Sequence, residues 1–196
     1  MKTVYLLGDS IRFGFKQNYG YGKYVADKLE GRANVLQPND NCRYTVYTFR
    51  CLRDWFANLG PDDVDIIHWN NGLWDVVDFD GEPLISPELY ASTLVRIARE
   101  LKRRFPNVKL IFALSTPIVE EAYKDPHFVR KNADIREYNR IARETLEPLG
   151  VQINDLYSVA EQFTVDDYVD RKTHFTVKAS NILADCVIQA LEKAGL

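Results

Sequence analysis

The sequence predicts an α/β fold in which a parallel sheet of five strands carries helices on both faces. Short apolar runs of strand length alternate with longer amphipathic segments along the whole chain. No internal repeat, low-complexity tract or linker interrupts this alternation, so we expect one domain over residues 1–196. A hydrophobic content of 46% and a charged content of 27% are ordinary for a globular protein.

The predicted strands are short apolar runs that end in turns or polar clusters. They cover residues 2–8, 33–36, 64–69, 109–114 and 151–153. The first run ends at Gly8-Asp9-Ser10, which places a serine just beyond a strand. Because ligands of open α/β sheets bind at the carboxyl ends of the strands, this serine lies where chemistry is expected.

The predicted helices have apolar residues on one face and recognisable start and stop signals. They cover residues 22–29, 45–59, 86–104 and 132–147, and a last helix follows Thr176. Ser86 caps the third of these helices and Pro87 takes its first position. The segments 11–22 and 76–85 are predicted loops, and 118–131 is predicted as a loop or lid over the site.

The composition excludes several classes of function. A net charge of −3 provides no basic field for nucleic acid or anionic lipid, and no apolar run approaches the ~20 residues of a membrane span. The three cysteines have no metal-binding spacing and are predicted to be buried free thiols. We expect no cofactor. With no leader-like segment, we expect a cytoplasmic protein or one whose leader has been removed. The composition leaves self-association open.

A serine needs a base to take its proton, and the chain has three histidines. His68 is mid-strand and predicted to pack in the core, while His127 is predicted to lie at the surface of the 118–131 segment. His174 follows Asp170 by four residues and precedes the last helix. With Ser10, these two residues supply the nucleophile, base and base-orienting acid that acyl transfer needs.

The ordered set of motifs resembles the SGNH (GDSL) hydrolase superfamily. Gly-Asp-Ser stands near the N-terminus, an Asn/Gly/Asp cluster follows the third strand, and an acid-to-histidine motif precedes the last helix. The resemblance spans nearly the whole chain. It implies a three-layer α/β/α sandwich of flavodoxin-like type, a serine esterase mechanism and no metal. By matching position, Ser10 would be the nucleophile and a backbone oxyanion donor, and His174 the base.

The chain departs from the family in its second and third motifs. Where the family has a glycine after the second strand, this chain has Asp40-Asn41-Cys42-Arg43, so the Asn41 or Cys42 backbone would supply that oxyanion donor.

The third motif carries Trp74 where the family has its oxyanion asparagine. Asn70 or Asn71 would replace it, and because their side chains alternate along a strand, we favour Asn70 alone. Asp9, Gly72 and Trp74 are predicted to contact the substrate.

The acid also departs from the family pattern. The family places it three residues before the histidine, where this chain has Arg171, and Asp170 is one residue further away. Either the loop bulges so that Asp170 reaches His174, or the site works as a serine–histidine dyad.

The leading interpretation is a serine ester hydrolase that cleaves small acyl esters, such as O-acetyl groups on a carbohydrate, through an acyl-enzyme on Ser10. A flavodoxin-like module that binds a phosphate or nucleotide is the second, although the chain lacks the glycine-rich phosphate motifs. A non-catalytic interaction module on the esterase fold is the third.

Overall fold

A computed structural model describes residues 1–196, and its centre is a five-stranded parallel sheet. The strands are β1 (Lys2–Leu6), β2 (Ala33–Leu36), β3 (Ile66–Trp69), β4 (Lys109–Ala113) and β5 (Gln152–Asn154). Their order across the sheet is β2-β1-β3-β4-β5, and every neighbouring pair is parallel. The chain therefore winds one way from β1 to β2 and the other way from β3 onward, which makes the β1/β3 boundary the switch point where ligands bind.

Seven α-helices surround the sheet. Their bounds are α1 (Ser10–Phe13), α2 (Tyr21–Lys28), α3 (Thr45–Trp55), α4 (Pro87–Arg104), α5 (Asn132–Leu146), α6 (Leu156–Ala160) and α7 (Val177–Lys193). Helices α2 and α7 pack on each other in one layer, while α4 packs on both α3 and α5 in the other. The three-layer arrangement expected from the sequence is confirmed.

Several predicted boundaries differ from the observed ones. The first strand ends at Leu6 rather than residue 8, the third begins at Ile66, and α3 ends at Trp55 because tight turns follow it. The predicted loops also contain short regular pieces. These are α1, the two-residue hairpins Gly14–Phe15/Asn18–Tyr19 and Asp78–Phe79/Glu82–Pro83, and the 3₁₀ turn Glu120–Ala122.

The strands of the sheet centre are buried on both faces, which explains their almost uninterrupted apolar sequences. His68 lies within β3 and is fully buried, and its Nε2 lies 3.1 Å from Nδ2 of Asn154 in β5. Burial lowers the pKa of His68 to about 3, so the ring is neutral at physiological pH. The prediction that this histidine belongs to the core is confirmed. Among the helices, none combines the length and apolar character needed to cross a bilayer.

Candidate active site

The Gly8-Asp9-Ser10 turn leads from β1 directly into α1. Asp9 is the N-cap of that helix, and its Oδ1 accepts a hydrogen bond from the Ile11 N–H at 2.9 Å. Gly8 is required by close packing, because a Cβ at this position would lie 2.2 Å from Oδ1 of Asn70. The turn therefore presents Ser10 as the first residue of a helix, where its own N–H has no partner within the helix.

Ser10, His174 and Asp170 form one hydrogen-bonded array although 164 residues separate the serine from the histidine. The Ser10 Oγ lies 2.9 Å from Nε2 of His174, and Nδ1 of the same ring lies 2.6 Å from Oδ2 of Asp170. The structure thus brings the three residues together in the order nucleophile, base and acid. The side chains of His174 and Asp170 retain 17% and 20% of their exposure, so the array is reached from solvent.

The loop before His174 bulges as the triad alternative requires. Arg171 has a φ of 54°, in the left-handed region, and its side chain points outward to pair with Asp166 at 3.1 Å. Oδ1 of Asp170 accepts three backbone N–H bonds, from Lys172, Thr173 and His174, at 2.8–3.0 Å. The carboxylate is therefore fixed by its own loop and turned toward the imidazole.

These bonds also set the charge of Asp170. Burial by itself would raise the pKa of the carboxyl, but hydrogen bonds from the His174 ring and from the Thr173 and His174 N–H groups hold it well below its ordinary value. Asp170 is consequently ionised at every pH at which the protein would be assayed. One face of the imidazole is also covered, because the Phe15 ring stacks on His174 with 4.0 Å between centroids.

The two neighbouring asparagines after β3 have different surroundings. Nδ2 of Asn71 donates to the Arg43 carbonyl at 2.9 Å and to Oγ1 of Thr48 at 2.8 Å, so both of its N–H groups are committed. Asn70 instead lies with its Oδ1 against Gly8 at the end of β1, and its amide also hydrogen-bonds the buried Asp9 carboxyl. Of the two amides, only that of Asn70 lies beside the turn that presents Ser10.

The loop after β2 is tied to the Ser10 turn by a buried arginine. Arg12 of α1 is 1% exposed and donates to the carbonyls of Gly8, Pro38 and Asp40 at 2.5–3.2 Å. The Cys42 N–H is engaged by the Gly8 carbonyl at 3.0 Å.

The structure therefore corrects the expectation that Cys42 could offer its N–H to an oxyanion. Asn41, the other candidate, is half-buried beside it, and its Oδ1 accepts the Arg43 N–H at 3.0 Å.

Two residues predicted to contact the substrate are buried framework residues instead. Asp9 is fully buried as a helix cap, and burial raises the pKa of its carboxyl above the ordinary value. Gly72 has a φ of 147°, and a Cβ there would lie 2.2 Å from Oγ of Ser115. Both residues thus shape the backbone beneath the site and neither lines the cavity above Ser10.

Asp75 closes the third motif and also serves the framework. Its Oδ1 accepts from the Thr45 N–H at 2.9 Å and from the Thr45 hydroxyl at 2.6 Å, which joins the loop after β3 to the first residue of α3. Burial raises the pKa of Asp75 to about 7, although the bonds from Thr45 act in the opposite direction. The carboxyl thus changes charge near neutral pH inside the core.

A cavity of about 220 Å³ opens above the Ser10–His174–Asp170 array. Trp74 lines it as predicted, and the 118–131 segment contributes the rings of Tyr123 and Phe128 together with Arg130. The segment therefore covers the site, in agreement with the predicted lid. His127 of the same segment is 74% exposed and points away to Asp80, so its predicted surface position is also confirmed.

Sequence reasoning missed four residues that shape this site: Arg12, Phe15, Arg130 and Lys172. Phe15 and Arg130 stand in loop sequences without periodicity, and a lone arginine or phenylalanine there gives no signal. Lys172 lies between Asp170 and His174 in the acid-to-histidine motif, and its position two residues before His174 could have suggested it. No group of three or more His, Cys, Asp or Glu side chains is arranged to hold a metal ion.

The five-stranded parallel sheet with helices on both faces is the fold of the SGNH hydrolases. More specifically, the chain belongs to the GDSL-like lipase/acylhydrolase family, whose model matches residues 6–181. The resemblance drawn from the motifs is thereby confirmed. No curated protein sequence matches the chain significantly.

Several solved structures superpose on the chain along nearly its whole length. A lipase/acylhydrolase from Enterococcus faecalis has a TM-score of 0.75 at 16% identity, covering 98% of this chain and 96% of its own. The acetyl xylan esterase AlAXEase has a TM-score of 0.73 at 14% identity, with coverages of 96% and 99%. A catalytic mutant of an acetylxylan esterase from Geobacillus stearothermophilus has a TM-score of 0.74 at 17% identity, with coverages of 100% and 94%. At these identities the likeness shows the fold.

Proposed function

We propose that the protein is a serine ester hydrolase that cleaves small acyl esters through an acyl-enzyme on Ser10. The observation that carries this proposal is the continuous array from Ser10 Oγ to His174 Nε2 at 2.9 Å and from His174 Nδ1 to Asp170 Oδ2 at 2.6 Å. A binding module has no need of such an array, whereas a hydroxyl becomes a nucleophile only when a base is in hydrogen-bond reach.

In the first half of the reaction, His174 takes the proton of Ser10 as the oxygen attacks the acyl carbonyl, and then passes it to the departing alcohol. Water repeats these steps on the acyl-enzyme and releases the acid. Asp170 keeps the Nδ1 proton in place and stabilises the imidazolium that forms in each half.

The developing oxyanion needs N–H donors that are in place before the reaction. We assign the Ser10 N–H and the Asn70 amide to this role, with the Asn41 backbone as the third candidate. The commitment of both Asn71 N–H groups to Arg43 and Thr48 favours Asn70 over Asn71.

The substrate is proposed to be a short acyl group, such as acetyl, on a carbohydrate or a similarly sized alcohol. A cavity of about 220 Å³ has room for a short acyl chain, and the Trp74, Tyr123 and Phe128 rings give it flat apolar walls. The acetylxylan esterases of the same fold are consistent with this choice.

A fluorophosphonate probe followed by mass mapping tests the proposal, because such probes phosphonylate activated serines. We expect a single adduct on Ser10 and none on Ser115, whose Oγ is buried and has no histidine partner. Labelling at another serine, or none at all in a folded protein, would overturn the assignment.

A further inference from the structure

Two cationic side chains line the cavity above Ser10, and neither forms an ion pair with a carboxylate. Arg130 is only 6% exposed, and its Nη1 donates to the Tyr123 hydroxyl at 2.8 Å while its Nε donates to the Leu73 carbonyl. Its remaining terminal nitrogen, Nη2, donates to no protein group. Lys172 is half-buried, and its Nζ lies 3.9 Å from the centroid of the Tyr123 ring.

The burial of Arg130 makes its lack of a carboxylate partner unusual. A buried cation is costly unless a partner compensates it, and Arg12, the other arginine buried to this degree, donates to backbone carbonyls through both terminal nitrogens. Arg130 instead has three aromatic rings around it, with its Cζ 5.3–5.7 Å from the centroids of Trp74, Tyr123 and Phe128. These rings exclude water from the guanidinium and strengthen its attraction for any anion that enters.

The carboxylates near these cations are not available to them. Asp170 uses Oδ2 for His174 and Oδ1 for three backbone N–H groups. Asp9 is completely buried beneath the serine turn, where its Oδ1 caps α1 and the Asn70 amide bonds its carboxyl, so the charge of Arg130 acts on it through space without an ion pair. The cavity therefore presents positive charge to whatever occupies it.

A second cationic cavity, of about 360 Å³, lies beside α1 and is the alternative place for an anion. Of its three cations, Arg12 is committed to backbone carbonyls and Lys23 pairs with Asp27 at 2.6 Å, which leaves only the exposed Lys16 without a carboxylate partner. The catalytic cavity is thus the better anion site.

We propose, on the basis of the proposed esterase function, that the natural substrate is an ester of an anionic alcohol, with a carboxylate that binds Arg130 Nη2 and Lys172 Nζ. Both N–H groups of Arg130 Nη2 are free of protein partners, so Nη2 and the ammonium of Lys172 can each donate to one of the two oxygens of a carboxylate. Because both cations share a cavity of about 220 Å³ with Ser10, the carboxylate and the ester belong to one small molecule, such as an O-acylated sugar acid or hydroxy acid.

The test compares kcat/KM for 3- and 4-acetoxybenzoate with kcat/KM for the matching 3- and 4-acetoxybenzamides. Each amide has nearly the size and shape of its carboxylate but no charge. Since hydrogen bonds to charged groups contribute about 1.5–3 kcal/mol, we expect the wild-type enzyme to prefer at least one carboxylate by about 10–100-fold. Equal rates, or a preference for the amides in both pairs, would overturn the inference.

Three variants assign the preference to these side chains. Lys172→Gln and Arg130→Gln are each expected to lower the carboxylate-to-amide ratio by about tenfold or more. Lys131→Gln is the matched control, because this exposed neighbour loses the same charge without lining the cavity. If Arg130 merely anchors the lid through Leu73 and Tyr123, its variant will slow both substrates alike and leave the ratio at the wild-type value.

The design separates this inference from the esterase proposal on which it rests. Hydrolysis of the acetyl ester in the neutral acetoxybenzamides and fluorophosphonate labelling of Ser10 report on the esterase alone. Turnover without a carboxylate preference would overturn only the anionic substrate, whereas no turnover and no labelling would overturn both.

Discussion

Replacement of Asp170 by asparagine separates a working triad from a serine–histidine dyad. Asparagine keeps a carbonyl oxygen for the three backbone N–H groups that Oδ1 accepts, so the bulged loop retains its supports. It removes the negative charge that lies 2.6 Å from Nδ1 of His174.

The size of the effect follows from that geometry. With charge centres about 4 Å apart and an effective dielectric constant of about 20, the carboxylate stabilises the imidazolium by roughly 4 kcal/mol. Each 1.4 kcal/mol corresponds to about a factor of ten in rate, so the charge alone accounts for roughly 10³-fold in kcat. An amide next to Nδ1 also favours the wrong tautomer, and we therefore expect a loss of about 10³–10⁴-fold.

The assay is kcat for p-nitrophenyl acetate at pH 8, with the melting temperature of each variant as a check on folding. Asp166→Asn is the matched control, because it removes a carboxylate from the same region that pairs only with the exposed Arg171. We expect that variant to keep nearly the wild-type rate. Retention of more than about a tenth of the wild-type kcat by Asp170→Asn would refute the triad.

Three further predictions concern the residues around the array. Asn70→Ala should lower kcat about 10²–10³-fold with little change in KM, because oxyanion donors act in the transition state. Asn71→Ala should mainly lower the melting temperature, because it removes two buried hydrogen bonds. The reverse pattern in steady-state kinetics and thermal melts would show that Asn71 faces the oxyanion. Arg171→Gly should keep activity and Arg171→Val should lose stability and activity, because a φ of 54° suits glycine and disfavours a β-branched residue. Equal melting temperatures for these two variants would argue against the bulge. Burial raises the pKa of Asp75 to about 7, so the folded protein holds this proton more tightly than the unfolded chain does. The resulting stabilisation is complete below about pH 4 and is lost as the pH rises through 7. In urea titrations, the free energy of unfolding of wild type should fall by about 2–3 kcal/mol relative to Asp75→Asn between pH 5 and pH 8, and parallel pH curves would contradict the shift.

The sequence was most informative where long patterns repeat. The amphipathic stretches of α4 and α5 end in stop signals, and the sequence places both helices within about one residue of their observed bounds. It also places the start of α7 at Thr176, which is the observed N-cap. The parallel sheet also brought Ser10 and His174 to one edge, although they are 164 residues apart, because strand ends of such a sheet share an edge.

Local geometry was less predictable where single contacts decide it. The bulge at Arg171 depends on three backbone N–H groups that converge on one oxygen of Asp170, and sequence left a triad and a dyad open. The roles of Asp9 and Gly72 were misassigned because a motif marks positions near a site without separating framework from surface. Arg130 reaches the cavity through the conformation of its loop, which no periodicity records.

The turnover of Ser10→Ala tests the central claim most directly. Ser158→Ala, which removes an exposed hydroxyl that does not line the cavity, is the control. With p-nitrophenyl acetate at pH 8, the account predicts that Ser10→Ala loses several orders of magnitude in kcat while its melting temperature stays near that of wild type. A Ser10→Ala enzyme that still turns over the ester at a rate close to the wild-type value would contradict the account.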